Sequence, residues 1–294
     1  MPEPDQLLTI ILLTYNHAPS IAGALDSVLV QQSAYPYQIW LCDDCSTDGT
    51  LEICRDYARR YPDKIRLFPQ SVNTFSDPSR EFHLVTALKN VRSRYFCALE
   101  GDDAWCDPHK IQLSLDILEA NPDYVAFAHD TLVNDLACET KKSLIHEVMH
   151  LQLCNPITFE TAPLFHTSAR IYRNIIPFTD KTNYSDIFVF YSFLDRGPLY
   201  YMDRIMSVYN STGKGMWSRL SKLEGLKLDL LLCGMLNQYF NYKYDELFTL
   251  RAGNPVGLRL MKKLLGRKKA WDAWIRSREI RYRPILKKLK AKQA

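Results

Sequence analysis

The sequence predicts an α/β fold with a mostly parallel central sheet, and three observations carry that expectation. Short apolar runs alternate with helical patterns along about the first 130 residues. Three of those runs end in polar loops, at Thr14-Tyr15-Asn16, Asp43–Thr50 and Glu100–Asp103. Ligands of parallel sheets bind beyond the carboxyl ends of the strands, so three polar loops there point to one nucleotide-type site.

Each element follows from its residues. Leu7–Leu13 is apolar but for Thr9, the mark of a strand buried on both faces. Ile21, Leu25, Val28 and Leu29 then fall at helical spacing and form a core-facing stripe. Tyr37–Cys42 reads as the second strand. Thr47 or Asp48 is placed to cap the next helix, whose inner face is read as Leu51, Cys54, Ala58 and Tyr61. Ile65–Phe68 is a short third strand. Tyr95–Leu99 is the next, and Pro108 opens a helix carrying Ile111, Leu115 and Leu118. Tyr124–His129 follows as a strand. Further on, the apolar helix Ile187–Leu194 precedes two strand-like runs, Leu199–Asp203 and Ile205–Tyr209.

The stretch Tyr95–Trp105 is the centre of the pattern. An apolar strand runs directly into Glu100, Asp102 and Asp103, three carboxylates within four positions. Such a group at a strand end repels itself unless a cation sits among it. Hard divalent ions such as Mg²⁺ or Mn²⁺ take oxygen ligands and commonly share their shell with substrate phosphates. A solvated acidic turn is the plainer reading of an isolated Asp-Asp pair, and the two upstream loops weigh against it here. No Gly-x-Gly-x-x-Gly follows the first strand and no Gly-x-x-x-x-Gly-Lys-Ser/Thr occurs, so a glycine-rich phosphate nest is not the device.

The motifs Leu-Leu-Thr-Tyr-Asn, Asp-Asp-Cys-Ser-Thr-Asp-Gly-Thr and Glu-Gly-Asp-Asp, in that order, resemble those of family-two inverting glycosyltransferases with the GT-A fold. The resemblance implies that Thr14, Tyr15 and Asn16 line the nucleotide base and ribose. It implies that Asp44 accepts from a uracil N–H, that Asp102 sits near the ribose, and that Asp103 ligates Mn²⁺ or Mg²⁺ against the diphosphate. Asn73-Thr74-Phe75 departs from the pattern, lacking the glycine that often follows the asparagine there.

The resemblance also makes Asp186, at the opening of the apolar helix, the general base. The chemistry agrees, because a sugar hydroxyl is a poor nucleophile until something accepts its proton. The competing reading is a plain helix cap, a role Ser185 fills equally well. Related enzymes read His-Gly-Gly-Gly-x-Trp-Ser where this chain has Thr212-Gly213-Lys214-Gly215-Met216-Trp217-Ser218. Thr212 is a poor substitute for a histidine ligand. Lys214 is placed to neutralise the diphosphate or is an ordinary surface lysine, and Trp217 is expected on the donor side.

Other patterns are weaker. His146-Glu147-Val148-Met149-His150 matches the zinc-protease signature, but Leu153 and Pro156 stand where its extended form wants Gly and His. Cys42-Asp43-Asp44-Cys45 lacks the second cysteine pair that a structural zinc site needs. A nucleotide-sugar-binding protein without turnover shares the first three motifs and needs no Asp186. A glycoside hydrolase with paired carboxylates needs neither metal nor nucleotide.

Length and composition bound the rest. The 294 residues are 47% hydrophobic and 24% charged, as in an ordinary globular protein. Glu3 and Asp5 stand where a signal peptide carries positive charge, and eight cysteines read as reduced, so a cytoplasmic location is expected. We expect a catalytic domain over residues 1–220, its donor half about 1–130 and its acceptor half about 131–220, and a C-terminal helical region over 221–294. Residues 255–294 carry 14 Lys+Arg against two acids, a net +12, while the preceding residues sum to −8. Leu258, Met261, Leu265, Trp271 and Trp274 form an apolar stripe among those cations. That is the composition of an interfacial helix on an anionic membrane, or of a helix packed on the body. No nucleic-acid-binding fold is recognisable. The expected partners are a nucleotide-sugar donor and a saccharide or lipid-linked saccharide acceptor, in cell-surface polysaccharide or lipopolysaccharide synthesis.

Overall fold

The structure is a computed structural model that describes residues 7–74, 83–136, 139–176, 186–211 and 232–251. It divides into two compact units, Met1–Ser211 and Thr212–Ala294. The candidate positions Lys214 and Trp217, with Thr212 and the basic segment 255–294, lie outside the described residues.

The first unit is an α/β layer structure built on one nine-stranded sheet. Its elements are β1 (Leu8–Thr14), α1 (Ile21–Leu29), β2 (Tyr37–Asp43), α2 (Thr50–Arg60), β3 (Ile65–Pro69), α3 (His83–Asn90), β4 (Tyr95–Glu100), β5 (Ala104–Trp105), α4 (Lys110–Ala120), β6 (Ala126–Asp135), β7 (Thr140–Ser143), β8 (Arg170–Arg173), α5 (Asp186–Leu194) and β9 (Leu199–Ser211). The order across the sheet is β3-β2-β1-β4-β8-β6-β9-β5, with β7 paired to β6. In the second unit, residues 232–239 are helical and a further helix spans Asp245–Arg251.

The expected parallel ladder is present through β3, β2, β1 and β4. Beyond β4 the sheet becomes mixed. β8 runs antiparallel to both β4 and β6, and β5 and β7 are antiparallel additions at β9 and β6. β6 and β9 are again a parallel pair. The chain leaves β1 toward β2 and β3, then returns to place β4 on the other side of β1. That reversal creates the crevice in which open α/β sheets bind ligands.

Local chemistry explains the elements. β1 and β2 are almost wholly buried, as their mainly apolar sequences require. α1 turns Ile21, Ala24, Leu25 and Val28 inward, and α4 buries Ile111, Leu115 and Leu118. α2 corrects the expected face. It buries Thr50, Cys54 and Tyr57, while Tyr61 is 38% exposed. Tyr57 wins the inward place because its hydroxyl finds Asp26 Oδ1 at 2.8 Å. α2 starts after Gly49 in a left-handed conformation (φ 94°), and Asp48 Oδ1 accepts the Thr50 N–H at 3.1 Å. The two runs expected after Leu199 are one 13-residue strand, β9, whose register against β6 shifts at His129/Asp130 and Asp130/Thr131.

Candidate active site

The register of the parallel ladder brings the first three motifs together. Thr14 lies opposite Asp43 and Leu13 opposite Glu100, so the loops after β1, β2 and β4 leave the sheet at one edge. Hydrogen bonds then lace the first two loops. Asn16, held at φ 54°, donates its N–H to Ser46 Oγ at 2.9 Å and accepts the Thr47 N–H at 2.8 Å. The His17 N–H reaches Thr50 Oγ1 at 2.8 Å, and the Asp44 N–H reaches the Thr14 carbonyl at 2.9 Å. Thr14 is buried, Tyr15 half-buried and Asn16 exposed.

Asp44 is buried and held in one orientation. Thr74 donates both its N–H (2.8 Å) and its hydroxyl (2.6 Å) to Asp44 Oδ1, while the Asn73 amide donates to the Asp44 carbonyl at 3.2 Å. The departure from the family pattern at Asn73-Thr74 therefore still serves the second motif.

The acidic turn packs tightly against the first loop. A Cβ on Gly101 would stand 2.8 Å from His17 Nδ1 and 2.9 Å from Thr14 Oγ1, so only glycine fits there. Glu100, Asp102 and Asp103 each offer an oxygen within 4.8 Å of the others. Asp103 is 2% exposed; its Oδ1 accepts the Asn210 N–H at 3.1 Å, and its Oδ2 is buried without a hydrogen-bond partner. Asp102 Oδ1 is likewise buried and unpartnered, and Asp102 Oδ2 lies 3.7 Å from His17 Nε2. Burial, with Glu100 and Asp102 beside it, holds the Asp103 carboxyl well above its ordinary value. Desolvation and the Asp102 and Asp186 charges push Glu100 up to about 7. Crowded carboxylates with orphaned buried oxygens are the donor set a hard divalent cation requires, so the residues fit a metal ion.

Asp186 is the remaining candidate from the sequence. Asp186 is the first residue of α5 with its side chain 42% exposed, and its charge is felt by Glu100 and by His166. Two neighbouring residues link it to the acidic turn: His166 Nε2 lies 3.7 Å from Asp103 Oδ2, and Thr167 Oγ1 donates to Asp186 Oδ2 at 3.3 Å.

Three contributors carried no sequence signal. Asn210, near the end of β9, also donates its amide to the Asp102 carbonyl at 2.8 Å, and Asn134 orients that amide through a 2.8 Å bond to Asn210 Oδ1. His166 packs on Tyr209 with ring centroids 4.5 Å apart, and its Nε2 lies 3.7 Å from Asp103 Oδ2. Burial, then the Arg170 charge, lowers His166 to about 3, so it is a neutral ring. Arg170, fully buried on β8, contacts Asp186 directly.

The weaker patterns have structural explanations. His146 and Glu147 sit in a π-turn, Leu144–Val148, with His146 Nε2 on Asp203 at 2.6 Å and Glu147 accepting the Ser143 N–H. His150 stands beyond that turn at φ 55°, so the pair does not share a helical face. Cys42 is a buried free thiol, pushed up by burial, and Cys45 is a half-buried free thiol.

A family model described as Glycosyl transferase family 2 matches residues 9–199, most of the chain. The chain belongs to glycosyl transferase family 2. Among curated relatives it is 33% identical over 111 residues to dTDP-rhamnosyl transferase RfbG of Shigella flexneri, covering 37% of each chain. Such alignments span only 35% to 44% of the lengths of the first curated relatives. Among solved structures, S. aureus TarS 1-349 in complex with UDP-GlcNAc superposes with a TM-score of 0.57 at 16% identity, over 97% of this chain and 87% of that one. Mannosyltransferase PcManGT from Pyrobaculum calidifontis, in complex with GDP-Man and Mn2+, gives 0.54 at 15% identity, over 97% and 84%. These likenesses establish the GT-A fold for this family 2 member. No helix among the described residues is long and apolar enough to cross a membrane.

Proposed function

We propose that this family 2 protein transfers a sugar, with inversion, from a uridine-diphosphate sugar to an acceptor hydroxyl, assisted by a divalent cation at the acidic turn. One observation carries the reading: the loops after β1, β2 and β4 leave the sheet at one edge, where Glu100, Asp102 and Asp103 each offer an oxygen within 4.8 Å of the others. The UDP-GlcNAc complex of TarS and the Mn2+ complex of PcManGT are consistent with such a donor and ion.

Each residue then has a task. Thr14, Tyr15 and Asn16 line the base and ribose, and Asp44, held by Thr74, accepts the pyrimidine N–H. Asp102 faces the ribose and Asp103 holds the cation, Mn²⁺ or Mg²⁺. When bound, that ion supplies positive charge to the departing diphosphate. Lys214 and Trp217 are assigned to the donor on sequence alone. Asp186 takes the proton from the acceptor hydroxyl as its oxygen bonds to the anomeric carbon and the bond to the diphosphate breaks. A single displacement needs no enzyme nucleophile and inverts the anomeric centre. We place the reaction in cell-surface polysaccharide or lipopolysaccharide synthesis, at the cytoplasmic face of a membrane.

Calorimetry with UDP, dTDP and GDP tests the donor side, with Mn²⁺ or a chelator present. UDP should bind tightest, and the chelator or Asp103→Asn should weaken it strongly. Equal affinity with and without the ion would remove the metal, and a preference for GDP would reassign Asp44.

A further inference from the structure

Arg170 is buried to 2% exposure in the middle of the sheet, an uncommon place for a guanidinium. Its polar neighbours are Tyr172, Asp186 and Thr167. Nη2 donates to Asp186 Oδ2 at 3.1 Å and Nη1 to the Asp186 carbonyl at 3.3 Å. Nη2 also donates to Thr167 Oγ1 at 3.0 Å, and that hydroxyl donates to the same Asp186 Oδ2 at 3.3 Å. The guanidinium carbon stands 5.2 Å from the centre of the Phe190 ring. Leu84, Leu88, Phe96 and Val189 line an apolar cavity beside it.

Stability does not explain this arrangement. A buried ion pair recovers its desolvation cost only partly, and well-packed apolar residues serve a core as well or better. Here the partner is not part of the core, since the Asp186 side chain is 42% exposed. The buried arginine thus fixes a carboxylate that is itself partly open to solvent. Among the described residues, Asp186 makes its side-chain hydrogen bonds through Oδ2 alone. Gripping the carbonyl as well removes rotation of the residue at the start of α5.

We propose that Arg170, with Thr167, is a positioning residue: it holds the Asp186 carboxylate by Oδ2 so that its other oxygen meets the acceptor hydroxyl. The idea rests on the reading of Asp186 as the base. A misplacement of about 1 Å in such a group costs on the order of 10²-fold in rate. Arg170 touches neither substrate nor diphosphate in this account and acts through Asp186.

The test is a mutant cycle on the full chain, with UDP binding by calorimetry and nucleoside-diphosphate release as separate readouts. Arg170→Met should leave UDP affinity within about twofold and lower kcat on the order of 10–10²-fold. Arg170→Lys should recover part of that loss, and Thr167→Val should show a smaller one. Arg170→Met in the Asp186→Asn background should cost nothing further. If Arg170→Met fails to fold, Thr167→Val and the Arg170→Lys variant in both backgrounds carry the same comparison. Wild-type kcat in Arg170→Met, or losses that multiply in the double variant, would overturn the positioning role alone. Wild-type turnover in Asp186→Asn would instead overturn the base reading and this proposal with it.

Discussion

Asn210, more than a hundred residues further along the chain, holds Asp103: its N–H donates to Asp103 Oδ1 at 3.1 Å while its amide donates to the Asp102 carbonyl at 2.8 Å. β9 therefore fixes the turn that follows β4. That clamp adds to the turn's own Asp103 N–H bond to the Glu100 carbonyl at 3.0 Å in setting the separation of two like charges. The Asn134 amide, itself bonded to Asn210 Oδ1, makes the orientation definite.

Asn210→Ala removes the amide bond and keeps the backbone one. A hydrogen bond of this kind is worth about 1 kcal/mol net, which is roughly fivefold in an equilibrium constant. Mn²⁺-dependent UDP affinity should fall by about that factor, with a small loss in Tm. Calorimetry beside thermal denaturation checks it, and unchanged affinity would show that the turn holds its shape unaided.

The acidic turn also sets a pH dependence. Glu100 rises from an ordinary 4.5 to about 7 in the folded chain. Between those values the folded state keeps a proton that the unfolded state has released. Stability from this group is complete below pH 4.5 and is lost as pH rises through 7. A cation binding the ionised carboxylates opposes that loss. Melting curves from pH 4 to 8 in chelator should show the decline at its steepest in this window, with Mn²⁺ or Glu100→Gln flattening it. The same slope in all three conditions would detach the decline from the turn.

Much of this architecture was legible in the residues. β1, β2 and the inward stripe of α4 were readable because each is a continuous or strictly periodic apolar pattern. The three polar loops at one sheet edge were readable because each follows such a strand directly. β8 was not, because its first residue, Arg170, is a buried cation that reads as surface. β9 was divided in two because Asp203 and Arg204 interrupt it with exposed charge where the ladder shifts register. His166, Asn210 and Arg170 reach the site through pairing of strands distant in sequence, and no local motif announces that. The face of α2 was misassigned because Tyr57 and Tyr61 both fit a helical stripe, and only the Tyr57 contact with Asp26 decides between them.

The basic segment 255–294 gives a prediction that stands on sequence alone. Its net +12 includes cations that each contribute about 1 kcal/mol near an anionic surface. Deleting it should reduce sedimentation with phosphatidylglycerol vesicles and leave UDP binding intact, and raised salt should weaken the intact protein's association. Equal sedimentation of both forms would favour packing of the segment on the body.

We propose that a donor site around Asp103 and a base at Asp186 act on one acceptor. Asp186→Asn keeps the shape and a hydrogen-bonding oxygen while removing the proton acceptor. Nucleoside-diphosphate release, measured with a saturating donor and acceptor beside UDP calorimetry, is the most direct test. Turnover should fall on the order of 10²–10⁴-fold with UDP affinity unchanged. Near-wild-type turnover in that variant would contradict the account and place the base elsewhere, with Asp180 and Asp195 the next residues to replace.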